Sequence, residues 1–246
     1  MRSRPGGDLT ARFPEVAAAL EGLPAGAVLD GELVVLGENG RPDFEQVRRR
    51  LAWGDGARGW AERPATLIVF DVLAYRGSQT FSAPWFERRG LLDRLPLNGT
   101  RVVRCPWYED GSALWEAVVA QRLEGVVAKR CDAAYCPGRR TRHWIKTKHT
   151  ADSGHVIVGV DERPERRAYL VAREQGDGSL AYAGRVELVD PHVRRDLDPS
   201  LKSIPASPIG WRTRRVRWVT PDTHVIVRAL ASGPRLREGR IVALAR

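Results

Sequence analysis

The chain has 246 residues, 43% hydrophobic and 28% charged, with a formal net charge of +10. That length provides one large or two modest domains with real cores. No apolar run approaches the ~20 residues of a membrane-spanning helix, and Met1-Arg2-Ser3-Arg4-Pro5-Gly6-Gly7 lacks the apolar stretch of a secretory signal, so no membrane association and a cytoplasmic location are expected. Residues 1–150 carry 23 basic and 18 acidic side chains, and the shorter 151–246 carries 17 and 12, so positive charge is denser toward the C-terminus. Such a balance suits a polyanion, nucleic acid first. An arginine-rich coding bias would raise the charge equally, and charge alone does not separate the two.

In chain order, Val28–Leu36 reads as a strand with a polar break at Asp30-Gly31-Glu32, and Phe44–Leu51 as a helix. Thr66–Leu73, β-branched and aromatic, reads as a buried strand. Ala83–Leu95 and Ser112–Leu123 have helical apolar spacing. Gly125–Ala128 and His143–Lys146 read as short strands. Beyond Lys148 the pattern becomes all β: His155–Val160, Ala168–Arg173, Leu180–Leu188, Arg214–Val219 and His224–Leu230, with one helix at Pro191–Leu197 and a proline-rich loop at Lys202–Trp211. The expected fold is α+β, with a mixed domain over 1–150 and a small Greek-key barrel over 151–246. Among such barrels the OB-fold is a common nucleic-acid binder.

Only four cations are lysine, against 36 arginines: Lys129, Lys146, Lys148 and Lys202. An ammonium is a compact, tunable point charge and a guanidinium is a permanent planar fork, so retained lysines mark positions that need the former. Cys105, Cys131 and Cys136 form no metal-binding pattern and read as buried free thiols. Trp144, Trp211 and Trp218 read as packing residues ahead of base-stacking ones.

Singly, Asp30-Gly31-Glu32, Phe70-Asp71, Glu124-Gly125 and Lys146-Thr147-Lys148 each have an ordinary reading as a turn, a strand end, a helix cap and a solvated strand face. Their order is more specific. Ser3-Arg4-Pro5-Gly6, Asp30-Gly31-Glu32-Leu33, Phe70-Asp71-Val72-Leu73, Glu124-Gly125-Val126-Val127-Ala128-Lys129 and Trp144-Ile145-Lys146-Thr147-Lys148 precede a basic β-rich region containing Arg217-Trp218-Val219-Thr220-Pro221. This series resembles the ATP-dependent DNA ligases, most closely the bacterial ligase C and ligase D type.

The resemblance implies a nucleotidyltransferase (ATP-grasp-like adenylation) domain followed by an OB-fold, with ATP and a divalent metal, Mg2+ foremost, as cofactors. Nicked or broken double-stranded DNA would be the partner, with repair proteins alongside, in nick sealing by adenylyl transfer during repair and recombination. By family match, Lys146 and Lys148 contact the α-phosphate, Glu124 supports the metal, and Glu32, with Asp30 beside it, lies near the ribose. Phe70 stacks on adenine and Arg4 holds a phosphate of the nicked DNA. Lys129 has no clear role and reads otherwise as a surface cation. Arg235, Arg237 and Arg240 loosely match the basic motif that orients pyrophosphate.

The family's nucleophile is the lysine of Lys-x-Asp-Gly, upstream of Ser-Arg-x-Gly. Here the residues two before each Asp-Gly are Val28, Trp53, Tyr108 and Gln175. The expectation is therefore an N-terminally truncated adenylation domain, unable to self-adenylate, in a chain that is poorly soluble or partly disordered near Ser3–Pro14. A non-catalytic DNA-binding paralogue and an RNA ligase or capping-type enzyme remain open alternatives.

Overall fold

The computed structural model describes residues 1–38, 40–53, 63–97, 99–163, 167–188, 190–211, 213, 215–232 and 235–245. Two compact units divide the chain: Met1–Gly111 with Val127–Ile145, and Ser112–Val126 with Lys146–Arg246.

The first unit is organised on β2 (Ala65–Tyr75), whose Ala65, Val69 and Val72 are buried in its core cluster. Strand β1 (Val28–Val35) pairs antiparallel along one edge. The other edge takes β3 (Ser78–Gln79), antiparallel, and β4 (Val102–Arg104), parallel. Helices α1 (Pro14–Ala19), α2 (Phe44–Trp53) and α3 (Trp85–Arg94) complete the unit. Asp43 starts α2 by accepting from the N–H groups of Glu45 and Gln46 at 2.9 and 3.3 Å, as a helix N-cap should. Phe13, Val16, Val35, Val69, Leu92, Leu95 and Val102 form one buried cluster.

Within Ser3–Pro14, where partial disorder is expected, Phe13 is buried and Arg4, Pro5, Gly6, Gly7 and Asp8 are exposed. Phe13 is fully buried and its ring lies 4.4 Å below the Arg50 guanidinium. Arg50 in turn grips Glu15 with two bonds of 2.6 and 2.9 Å. Long-range packing supplies what the local sequence does not advertise.

In the second unit, β7 (Thr150–Asp161), β8 (Ala168–Glu174), β9 (Leu180–Leu188), β11 (His224–Leu230) and β12 (Arg240–Leu244) pair in a closed ring, β7–β11–β12–β9–β8–β7. Strand β10 (Val216–Trp218) adds to β7. Only β12–β9 is parallel. The ring is therefore a five-stranded barrel, filled by Ile157, Tyr169, Val171, Val186, Leu197, Val225, Val227 and Ile241. Alternate residues Val156, Val158, Leu170 and Ala172 point outward and form a second apolar cluster with Trp218, against which Tyr182, Ile204, Ile209 and Val216 pack. This coverage on both faces explains the unbroken burial of His155–Asp161.

Helix α5 (Pro191–Ser200) has Asp190 as N-cap and Pro191 in its first turn. Helix α4 (Gly111–Ala120) leads into β5 (Gly125–Lys129), which pairs with β6 (Trp144–Lys148) as a two-stranded ribbon. The five strands expected after Lys148 are present, although Arg214, the first residue of one of them, lies outside the described residues. Among the described residues no helix is long and apolar enough to cross a membrane.

Candidate functional site

In the second unit, Glu124 stands between two cations. Lys146 Nζ donates to its Oε1 at 2.7 Å and Arg237 Nη1 to its Oε2 at 3.1 Å. Two residues beyond Lys146, Lys148 pairs with Glu238. The spacing explains the grouping, because residues i and i+2 of a strand share a face.

Gly125 sets the approach. Its φ is +146°, and a Cβ there would lie 2.1 Å from the Thr147 carbonyl oxygen, so only glycine lets the two strands meet at this point. His149 N–H closes the pairing by donating to Glu124 O at 2.8 Å. Burial pushes the Glu124 pKa up, but the bonds and charges of Lys146 and Arg237 outweigh it and hold the carboxyl below its ordinary value. Glu124 is thus an anion held by two cations.

The first unit gathers a different set. Lys129, which reads in sequence as a surface cation, is only 12% exposed. Its ammonium lies 3.8 Å from the Trp144 ring centroid and 4.6 Å from that of Phe70. It donates to Phe70 O at 3.0 Å and stands 3.7 Å from Asp71. Burial holds this ammonium below its usual pKa, with Asp71 opposing.

Phe70 and Trp144 meet edge to face at 5.9 Å, and Trp144 meets Tyr135 at 5.5 Å. Tyr135 donates to Asp30 Oδ2 at 2.7 Å, and burial together with that bond pushes its phenol pKa upward. Asp30 and Asp71 are partners across the β1–β2 pairing. Like charges so placed repel. Here Arg88 neutralises Asp71 with bonds of 2.7 and 3.1 Å in a pair that is 0% and 1% exposed. Gly31 permits this register, since a Cβ there would lie 2.8 Å from Ile68 O and the strand is bulged at Asp30/Gly31.

Of the site residues read from sequence, Phe70 and Asp30 share the aromatic cluster of the first unit, and Glu124, Lys146 and Lys148 the ionic cluster of the second. Glu32 is exposed on β1, with its charge acting on the Cys105 thiol. Arg4 is exposed in the turn that Ser3 and Gly7 close by a 2.8 Å bond. Arg237, a loose candidate in sequence, meets Glu124. Arg235 lies over Tyr182 instead.

Sequence reasoning missed Lys129 as a buried group, Arg88 altogether, and Tyr135. The lysine scarcity was the available signal for Lys129. Nothing local distinguishes Arg88 from a solvated helix residue. Cys131 is exposed rather than buried, and Cys105 and Cys136 are half-buried.

Among the described residues no group of three or more His, Cys, Asp or Glu side chains is placed to hold a metal. Glu124 alone would not cage one. Mg2+, however, is commonly bound by one or two carboxylates together with substrate phosphates, and a single Glu fits that use.

A family model described as ATP dependent DNA ligase domain matches residues 1–148. A probable DNA ligase of Streptomyces griseus is 33% identical over 240 residues, covering 89% of this chain and 44% of that protein. The multifunctional non-homologous end joining protein LigD of Mycolicibacterium smegmatis is 35% identical over 191 residues, covering 76% of this chain and 24% of that protein. The chain therefore spans less than half the length of these two curated relatives.

Two solved structures match across 99% of the chain and 81% of their own length. One is the ligase domain of M. tuberculosis LigD (29% identity, TM-score 0.53), and the other a mycobacterial DNA ligase D complexed with ATP and MES (28%, 0.55). With the family model covering more than half of its length, the chain belongs to the ATP-dependent DNA ligase family, and its mixed α+β architecture is that of the ligase adenylation fold.

Proposed function

We propose that this protein seals nicks or breaks in double-stranded DNA by adenylyl transfer, in DNA repair and recombination in the cytoplasm, with residues 1–150 as the adenylation domain and 151–246 as an OB-fold. The observation that carries the reading is the Lys146–Glu124–Arg237 cluster with Lys148 beside it. Adenylyl transfer and nick closure both build negative charge on phosphoryl oxygens, and preorganised cations aimed at that charge are the main catalytic resource. Lys146 and Lys148 would exchange their carboxylate partners for the α-phosphate. Glu124, its Oε1 released by Lys146 while Arg237 keeps Oε2, would then help to hold Mg2+, which would neutralise developing charge.

Phe70 would stack on adenine, a contact worth ~1–3 kcal/mol per base. Asp30, fixed by Tyr135, and Glu32 would face the ribose, and Arg4 would take a phosphate of the nicked strand. The closed five-stranded barrel supports the OB-fold assignment.

The 246 residues contain no Lys-x-Asp-Gly. A polypeptide of these 246 residues should perform the final step, attack of a 3′-hydroxyl on the 5′-phosphate of already adenylated DNA with release of AMP, which needs cations and placement but no lysine nucleophile. Incubated with α-labelled ATP, it should keep no label after denaturation. On pre-adenylated nicked duplex with Mg2+ it should seal. Salt-sensitive DNA binding without sealing would instead establish a non-catalytic DNA-binding protein.

A further inference from the structure

The turn before β12 places a second acidic residue in the ionic cluster. Arg237 takes Glu124, and its neighbour Glu238 takes Lys148. Glu124, Lys146, Lys148, Arg237 and Glu238 all belong to the second unit. One turn thus meets a carboxylate with a guanidinium and a lysine with a carboxylate.

The backbone is strained at this point. Glu238 has a φ of +53°, in the left-handed region that residues with a Cβ seldom enter and that persists where the surroundings impose it. Backbone bonds impose it from both sides. Leu236 N–H donates to Ala183 O at 2.9 Å, Leu230 N–H to Arg237 O at 3.1 Å, and Glu187 N–H to Gly239 O at 3.0 Å. A Cβ at Gly239 would lie 2.7 Å from Val186 Cγ1, so the turn is packed closely on β9. Non-glycine outliers of this kind gather at ligand clamps and switch positions.

The pair itself is able to exchange. Lys148 and Glu238 are 38% and 48% exposed, and an ion pair so placed is screened and weak. A carboxylate beside the lysine lowers the affinity of any phosphate that must displace it, and it is at hand to reclaim the ammonium when phosphate leaves. Nick closure ends in such a departure. The 3′ oxygen bonds the 5′-phosphate, the hydroxyl proton passes to water, the phosphoanhydride link to AMP breaks, and AMP carries away the former α-phosphate.

We propose that Glu238 is a resident competitor for the phosphate on Lys148, loosening AMP after nick closure and returning the lysine to its resting pair. The inference rests on the proposed function in one respect, that Lys148 receives the α-phosphate, and it adds a residue that governs product release.

The test uses the full chain with AMP and adenosine as probes, measured by calorimetry. Glu238→Gln keeps the size of the side chain and removes its charge. At an equal thermal midpoint it should bind AMP about two- to fivefold more tightly than the parent, the equivalent of one exposed ion pair. AMP should inhibit sealing of a pre-adenylated nick at concentrations lower by the same factor. Adenosine, which lacks the phosphate, should bind both proteins alike. In a Lys148→Gln background the same substitution should leave AMP binding unchanged, which separates the pair from a general gain of positive charge. Unchanged or weaker AMP binding by Glu238→Gln would overturn the proposal, since a Glu238 that merely steadies Lys148 would weaken the site when removed. Tightening that persists without Lys148 would overturn it too.

Sealing of pre-adenylated nicked duplex by the parent is followed in the same preparations. Tighter AMP binding by Glu238→Gln, in a chain that does not seal, leaves the competition at Lys148 standing and removes the ligase reading. Sealing with AMP binding unchanged by the substitution does the reverse.

Discussion

At the scale of single residues, two buried ionic contacts determine how the first unit presents Phe70. Asp71 and Arg88 are removed from water together, and such a pair is costly to break because the survivor is left as an isolated buried charge. Arg88→Met should therefore lower the unfolding free energy by ~3–5 kcal/mol, read from urea denaturation. A loss below ~1 kcal/mol would mean that Asp71 finds another partner.

Lys129 acts through packing as much as charge, because its ammonium sits against both Phe70 and Trp144. Desolvated cation–π contacts contribute ~2 kcal/mol. Lys129→Met should cost about that much in stability and weaken nucleotide binding, measured by calorimetry.

Glu124 makes a pH prediction. Its folded pKa is depressed from the ordinary 4.5, so the stability it contributes is present above 4.5 and lost as the pH falls through the depressed folded value. The stability difference between the chain and Glu124→Gln should therefore narrow on acidification below about pH 4.5. A difference that widens there would contradict the ion-pair assignment.

At the scale of elements, the strands that bury their own side chains were legible and those held by their neighbours were not. β2 and β11 carry β-branched runs and β8 a short apolar one, with turn signals at their ends. β4, with three residues, exists because Leu67, Ile68 and Val69 offer it an edge. β7 begins at Thr150, five residues before its apolar run, because Thr150–Gly154 pairs with Ile226–Leu230 rather than burying anything of its own. β12 closes the barrel by pairing with β9 as well as β11, a relation no local pattern encodes.

Site residues followed the same rule. Lys146 and Glu124 stood in recognisable strings of sequence, whereas the burial of Lys129 depends on Phe70 and Trp144 arriving from two other strands. The ribbon of β5 and β6 has its own test. Gly125→Ala puts a methyl group where Thr147 O lies and forces a conformation L-residues rarely adopt. It should cost ~1–3 kcal/mol and, by displacing Glu124 from Lys146, lower sealing more than it lowers stability. A variant with parental stability and activity would show that the strands can part without consequence.

At the scale of the whole molecule, the proposed DNA partner fits the net charge of +10, with the C-terminal part the denser in cations. If about six phosphates are neutralised, affinity for nicked duplex should fall ~10³-fold between about 50 and 200 mM salt, measured by fluorescence anisotropy. A change below about threefold would make the charge a feature of composition rather than of binding.

The central claim is that Lys146, held beside Glu124, delivers positive charge to the reacting phosphate, and single-turnover sealing of pre-adenylated nicked DNA tests it most directly. The chain should seal, and Lys146→Ala, folded to the same midpoint, should seal at least ~10²-fold more slowly, the usual loss when one preorganised charge partner of the transition state is removed. Equal rates for the two proteins, or no sealing by the parent, would contradict it.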